Sequence, residues 1–443
     1  MEASNRHILI FISREHPRLY YTFHHIFHRI LRMPYRFTKR IEEFVAYNGP
    51  KFSYTSTRLG DEFHIHAGPL LFEKGIRPQS FERGTWQNLP VIFTTREEAS
   101  LPFDLFSAVF YLISRYEEYL PHHTDEHGRY AYDQSTAHSM GFLDRPLVEQ
   151  WLYMFVRLLA EKFPGLEIPP PRFHFRPLVN VTVSHLYKYK GLLRFTGGVL
   201  DNLFHLQFKK AWARFKYVWF EKKDPYDTFN KFIAIGKQFG RHPLFFFLVG
   251  TYSQYDHNIS PSRPALKRII KTVSDYAETG LLIAYESMNH PERIKAERRK
   301  LEDLIHKPVD KAHFHYYRNI LPDAYRHLIE LEFKEDYSMG YPRIIGYRAS
   351  TAHPFPFYDF DEESPADLLV YPVVVNDYQL RFIYKYSPEE AVNKLIEIGN
   401  EIRQFGGHFH PLFHNAILSE YEEWEGWSEV YVKLLKHFAH EGD

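Results

Sequence analysis

The 443-residue sequence contains no cysteine. That excludes disulfides, thiolate nucleophiles and thiolate metal ligands, and it fits a reducing compartment. It has no excess of charge: 55 Lys and Arg balance 55 Asp and Glu. No global field therefore argues for nucleic acid or an acidic polymer as partner. No apolar run reaches the roughly 18 residues needed to cross a bilayer. The start, "MEASNRHILIFIS", lacks the basic stretch, apolar core and small-residue cleavage site of a secretory leader. These absences lead to the expectation of a soluble, cytoplasmic protein. One further absence is local. "VNVTVSHLYKYKG" (179–191) reads as a buried strand opening into a loop, the place where α/β enzymes carry acids. Its tip offers Thr182, Ser184 and His185, and no carboxylate.

Aromatic and histidine residues are plentiful, with 39 Phe, 32 Tyr and 27 His. Aromatic faces suit sugar rings, but Phe and Tyr in this number chiefly fill cores. The length predicts two or three domains. Over 1–170 the pattern gives an N-terminal α/β domain. "HILIFIS" (7–13) is a first strand, followed by helical spacing over 17–32 and short strands at 51–57 and 62–68. Amphipathic helices follow over 102–120, with Asp104 as its cap, and over 144–163. The proline-rich "GLEIPPPRFHFRP" (165–177) reads as a linker.

From 178 to 443 short apolar strands alternate with helices. Strands are predicted at 178–184, 244–250, 281–285, 367–374 and 407–414, with helices at 226–239, 262–279, 291–305, 322–331 and 388–404. Doubly buried strands alternating with helices predict a parallel α/β sheet or barrel, with the site at the carboxyl ends of the strands. Arg348, in "GYRAS", could orient a carboxylate or bind an anion; the plainer reading is an arginine paired to an acid. His414, in "PLFHN", could act as acid or base; the plainer reading is a structural histidine.

The stretches "DYSMGYPRIIGYRASTAHPFPFYDF" and "LFHNAILSE" resemble polysaccharide deacetylases of the NodB-homology type, carbohydrate esterase family 4. The resemblance is to a Bacteroidetes-type branch with its own N-terminal domain, which "FDLFSAVFYLISRYEEYLPHHTDEHGRY" also resembles. It implies a distorted (β/α) barrel of NodB type and metal-assisted hydrolysis of a non-peptide carbon–nitrogen bond, the N-acetyl group of an amino sugar. It implies a steering arginine at Arg348, a general acid at His414, and Asp377 as the acid's carboxylate partner. It implies a cleft for substrate formed with Tyr347, Tyr358 and Asp359.

The rest of the resemblance fails. The base and metal aspartates fall on Thr182 and Ser184, a metal histidine falls on Leu282, and Ala312 and His313 replace a Ser-Arg pair beside His315. A hydroxyl is no base near neutral pH without activation, and leucine ligates nothing. The leading expectation is therefore a catalytically degenerate homologue that binds a glycan or partner in an envelope or surface polysaccharide pathway, with no metal. The first alternative is an active hydrolase of acylated amino sugars with an altered site, holding a divalent metal such as zinc through His313, His315, His408, His410 and His414. The second is a purely structural subunit. His122 and His123 are expected to be loop residues.

One more stretch stands apart. Residues 188–223 carry nine Lys and Arg against Asp201 and Glu221, with Phe208, Trp212, Phe215 and Trp219 at helical spacing. The plain reading is a helix with a solvated face. The functional one is peripheral contact with anionic lipid through 205–223, which suits a lipid-linked sugar as ligand.

Overall fold

A computed structural model describes residues 7–220 and 223–439. The N-terminal part is built on a parallel sheet of β1 (Ile8–Ile12), β2 (Tyr35–Thr38), β3 (Lys51–Thr55) and β4 (His64–His66), in the order β2-β1-β3-β4. β1 lies inside this sheet and is apolar and buried at every position, as the run of Ile, Leu and Phe requires. β5 (Arg83–Trp86) and β6 (Leu89–Ile92) form a separate antiparallel hairpin. The helix Leu105–Ile113 is buried along its whole length. Asp104 caps it: its carboxylate accepts the Ser107 backbone N–H at 3.0 Å and the Tyr54 hydroxyl at 3.0 Å. The predicted helix over 144–163 forms as Leu147–Lys162.

The second part is a curled parallel sheet. β8 (Leu178–Val181), β9 (Leu244–Leu248), β10 (Thr279–Ile283), β11 (Lys311–Phe314), β12 (Glu335–Met339), β14 (Ser364–Pro372) and β16 (Leu412–His414) pair in parallel in the order β14-β12-β11-β10-β9-β8-β16. The chain leaving β14 then meets the other edge. Asn376 forms a parallel bridge with Leu412, and the Leu412 N–H donates to the Val375 carbonyl. The curl thus comes round on itself, and its interior is plugged by Phe246, Leu248, Leu282, Tyr317, Val373 and Leu412. β13 (Phe355–Asp359) stands outside this ring, antiparallel to β14.

Two predicted elements divide. The strand over 407–414 is cut at His410–Pro411 into β15 (Gly407–Phe409) and β16, because proline cannot donate to a ladder. The linker over 165–177 contains β7 (Phe173–Phe175), which pairs with β15. The aromatic arm forms two helices, Leu192–Phe204 and Phe208–Trp219. Glu221 and Lys222, at its end, lie outside the described residues.

The two parts share one apolar core rather than meeting at a wet interface. Buried polar links cross the seam. Arg18 pairs with Glu363 at 2.6 Å, and Arg348 pairs with Glu118 at 2.6 Å. His353 lies 2.9 Å from Glu149, and Glu149 also accepts the Thr351 hydroxyl.

Candidate functional site

A cavity of about 410 Å3 opens at the carboxyl ends of the barrel strands. Its lining comes from sequence-distant loops, as barrel topology dictates. Asn180 comes from β8 and Thr182 from just beyond its end, His313 and His315 from the end of β11, Asn376 from the chain after β14, and His414 from β16. The N-terminal part adds a wall: the loop carrying His127 and Arg129 reaches over the rim. There Arg129 donates to the Tyr316 carbonyl at 2.6 Å, and His127 Nδ1 lies 3.0 Å from the Tyr285 hydroxyl.

Three imidazoles define the chemistry. His414 is anchored on Asp377. Its Nδ1 lies 2.7 Å from the Asp377 carboxylate, and its backbone N–H donates to the other carboxylate oxygen at 2.6 Å. Burial pulls the His414 pKa down, but the charge and hydrogen bond of fully buried Asp377 outweigh it, leaving it above the ordinary value. His315 has the same construction: Nδ1 lies 2.8 Å from Asp256. Here burial wins and the pKa falls. Asp256 is itself held below its ordinary value: burial pushes it up, but the bond and charge of His315 together with the Tyr285 N–H and the Ser253 hydroxyl offset this. It also accepts the Tyr285 N–H at 3.1 Å and the Ser253 hydroxyl at 2.9 Å. His313 turns Nδ1 to the Tyr337 carbonyl at 2.6 Å, and burial lowers its pKa to about 3.

A carbonyl or carboxylate at Nδ1 fixes that nitrogen as donor. Each ring is left with an Nε2 that has no hydrogen-bond partner among the described residues. His313 and His315, neutral, present acceptors. His414, when protonated, presents a donor. The amide oxygen of buried Asn180, also lining the cavity, has no partner among the described residues. Tyr316 at the rim and Tyr317 in the plug beneath it have φ of +60° and +54°, a left-handed conformation that costs bulky residues about 1–3 kcal/mol each. The turn directs the Tyr317 hydroxyl to Asn376 at 3.3 Å, while Tyr316 stays partly exposed.

The positions where the resemblance implies acids are built differently. The Ser184 hydroxyl and N–H both donate to the Asn258 side-chain oxygen, at 2.8 and 3.0 Å. The Asn258 amide in turn donates to the Leu248 carbonyl at 2.9 Å, so it laces the ends of β8 and β9 together. Asp224 accepts the N–H groups of Leu186, Tyr187 and Lys188 at 2.7–2.9 Å and pins the following loop. Leu282 is fully buried in the plug. Among the described residues, no group of three or more His, Asp or Glu is placed to hold a metal ion. The donor set therefore does not fit the metal that the resemblance implies.

The sequence-predicted residues separate. His414 and Asp377 meet at the cavity. Arg348 does not line it: it is buried in the seam, bound to Glu118 and donating to the Asn319 side chain at 2.7 Å. Burial would raise the Glu118 pKa, but Arg348 and Arg115 together hold it down to about 2. Tyr347 is buried beside Leu143, to whose carbonyl its N–H donates. Tyr358 bonds to Glu363 and packs on Tyr21, and Asp359 pairs with Arg326 at 2.8 Å. None of Arg348, Tyr347, Tyr358 and Asp359 lines the cavity, which corrects the expected cleft: Arg348 and Tyr347 are buried against the N-terminal part, and Tyr358 and Asp359 lie on β13, outside the ring.

The two histidine runs also part. His313, His315 and His414 line the upper cavity. His408 and His410 line a second cavity of about 430 Å3 at the opposite end of the strands, beside His174. Six residues of extended chain separate His408 from His414, roughly 20 Å. His122 and His123 are exposed, but His127 in the same stretch reaches the site. Asp256 carries no local mark in the sequence, since it lies in the irregular chain that leaves β9. The carboxyl-end rule applied to that strand would have found it.

Residues 8–164 match a family of unknown function, DUF7033. No curated protein matches the chain. Among solved structures the chain is similar to a "putative polysaccharide deacetylase" from Mycobacterium smegmatis, at 12 % identity and TM-score 0.42 over 62 % of this chain and 86 % of that one. It is similar to Puue allantoinase, at 10 % identity and TM-score 0.37 over 60 % and 84 %. It is also similar to a polysaccharide deacetylase from Bacillus cereus, at 9 % identity and TM-score 0.29 over 61 % and 90 %.

Proposed function

We propose that the chain is a deacetylase-like protein that binds a carbohydrate, an amino-sugar glycan of a surface-polysaccharide pathway, in the upper cavity without the metal chemistry that the resemblance implies. One observation carries this: three imidazoles anchored at Nδ1 offer Nε2 to one cavity, while the positions for a metal and base hold Thr182, Ser184 and Leu282. Two acceptors, a switchable donor and the free Asn180 oxygen match the hydroxyl and amino groups of such a sugar. Tyr316 and Tyr378, partly exposed at the mouth, offer faces for ring stacking. Calorimetry against amino-sugar and N-acetylated oligomers checks this. Heat should appear for at least one oligomer, and His414→Ala should weaken it at least about tenfold, the loss of a charge-assisted hydrogen bond. A folded protein giving no heat across the panel would sink the reading and leave a structural subunit.

A second reading rests on the His414–Asp377 pair, whose geometry suits a general acid. In it the chain hydrolyses an acyl group from an amino sugar. Acetate release from N-acetylated oligomers, with metal content measured on untagged protein, tests it; no release at any pH removes it.

A further inference from the structure

The helices Leu192–Phe204 and Phe208–Trp219 form a hairpin that buries almost nothing against the barrel. Asn202 is the only buried residue of the first helix, and Ala211 of the second. The hairpin holds itself together: Arg214 donates to the Asn202 side chain at 2.7 Å, and Phe195 and Trp219 rings meet at 4.8 Å. What remains outside is apolar. Leu193 is 89 % exposed and Phe204 85 %. Phe208, Trp212, Trp219 and Phe220 are exposed as well, and every exposed Phe or Trp among the described residues lies in this hairpin. A surface of this kind marks an interaction site.

Charge selects the occupant. Between 192 and 220 there are five Lys and Arg and one acid, Asp201, although the chain as a whole is neutral. A protein partner for an apolar face has no need of that excess. An anionic lipid surface does: Trp, Phe and Leu enter the acyl boundary while Lys and Arg meet phosphate. No helix among the described residues is long and apolar enough to cross a membrane, so the hairpin would lie along the surface. It is tied to the cavity rim. Tyr217 stacks on Tyr187 at 5.5 Å, the Tyr187 hydroxyl lies 3.1 Å from that of Tyr421, and the nearby Glu423 and Trp424 line the cavity.

We infer that this hairpin docks the protein on an anionic bilayer, with the cavity mouth held beside the headgroups. The test is flotation of the full chain with vesicles of phosphatidylcholine and phosphatidylserine, beside vesicles of phosphatidylcholine alone. Binding should require the anionic lipid, weaken with salt and blue-shift tryptophan emission. Lys209→Glu with Lys210→Glu should lower it more than tenfold, since each cation near the surface is worth roughly fivefold. Leu193→Ser with Phe204→Ser should lower it comparably; both sites are open to solvent, and unchanged circular dichroism confirms folding. Failure to float with anionic vesicles overturns the inference. So does self-association in the ultracentrifuge that the Ser variant abolishes, which would assign the face to a second copy. Glycan calorimetry on the same samples is independent, so either proposal can fail alone.

Discussion

The two ends of the barrel use one residue type in opposite ways. At the upper end His414 and His315 each rest on a carboxylate, Asp377 and Asp256. At the lower end His408 and His410 rest on other histidines, on Tyr371 and on the Arg176 carbonyl. Burial is similar, yet the outcomes diverge. Desolvation drives His408 down to about 2 and His410 to about 4, whereas His414 stands above its ordinary value. Burial alone makes imidazole an inert, flat ring; the carboxylate behind His414 outweighs burial, whereas Asp256 behind His315 only softens it. The difference lies in the balance between burial and the second group, not in the histidine.

The largest expected effect comes from breaching the plug between the ends. Leu282→Ala should cost about 2–5 kcal/mol, since Leu282 is fully enclosed by Phe246, Leu248 and Tyr317. Urea unfolding measures it. A loss under 1 kcal/mol would mean that the interior collapses freely and that the two ends are not separated as described. Next is the lower end. The pKa values of His408 and His410 are depressed in the fold, so the unfolded chain takes up protons that the folded one cannot. Stability from these groups is complete above about pH 6.5 and falls as pH drops toward about 4, by up to about 1.4 kcal/mol per pH unit for each histidine. His408→Gln with His410→Gln should flatten that slope in unfolding midpoints measured across pH; an unchanged slope would refute the assignment.

The smallest effect is the most local. Because the His414 pKa is raised, its pairing stabilises the fold below about pH 6.5 and fades as pH climbs through the folded value. Asp377→Asn removes the charge and leaves burial unopposed. The His414 ring should then titrate below an ordinary histidine instead of above it, which proton NMR can follow. If the ring titrates where it did before, the carboxylate is not its source.

Much of this contrast was legible in the sequence, and its limits have physical causes. The strands and helices of the barrel announce themselves because burial on both faces demands apolar runs, as in "LFFFLVG". His414 is legible from its place at a strand end, and Asp377 through the resemblance. The sequence groups His408, His410 and His414 in one run; their separation appears only once Pro411 divides that run into β15 and β16. Arg348 was legible as an arginine among small residues but not as a seam residue: its partner, Glu118, is 230 positions away. Asp256 lies in a loop with no periodicity to mark it, and its value comes entirely from where the β11 chain delivers His315.

The buried salt links across the seam bear on the ancestry of the chain. By sequence, the proline-rich stretch near residue 170 resembles a joint at which halves could be exchanged. Recombination there would send Glu118 into one protein and Arg348 into another, each a charge sealed in oil without its counterpart. It would also strip His127 and Arg129 from the rim of the cavity. Lineages that keep the barrel should therefore keep the first 164 residues with it, and the two should be lost together.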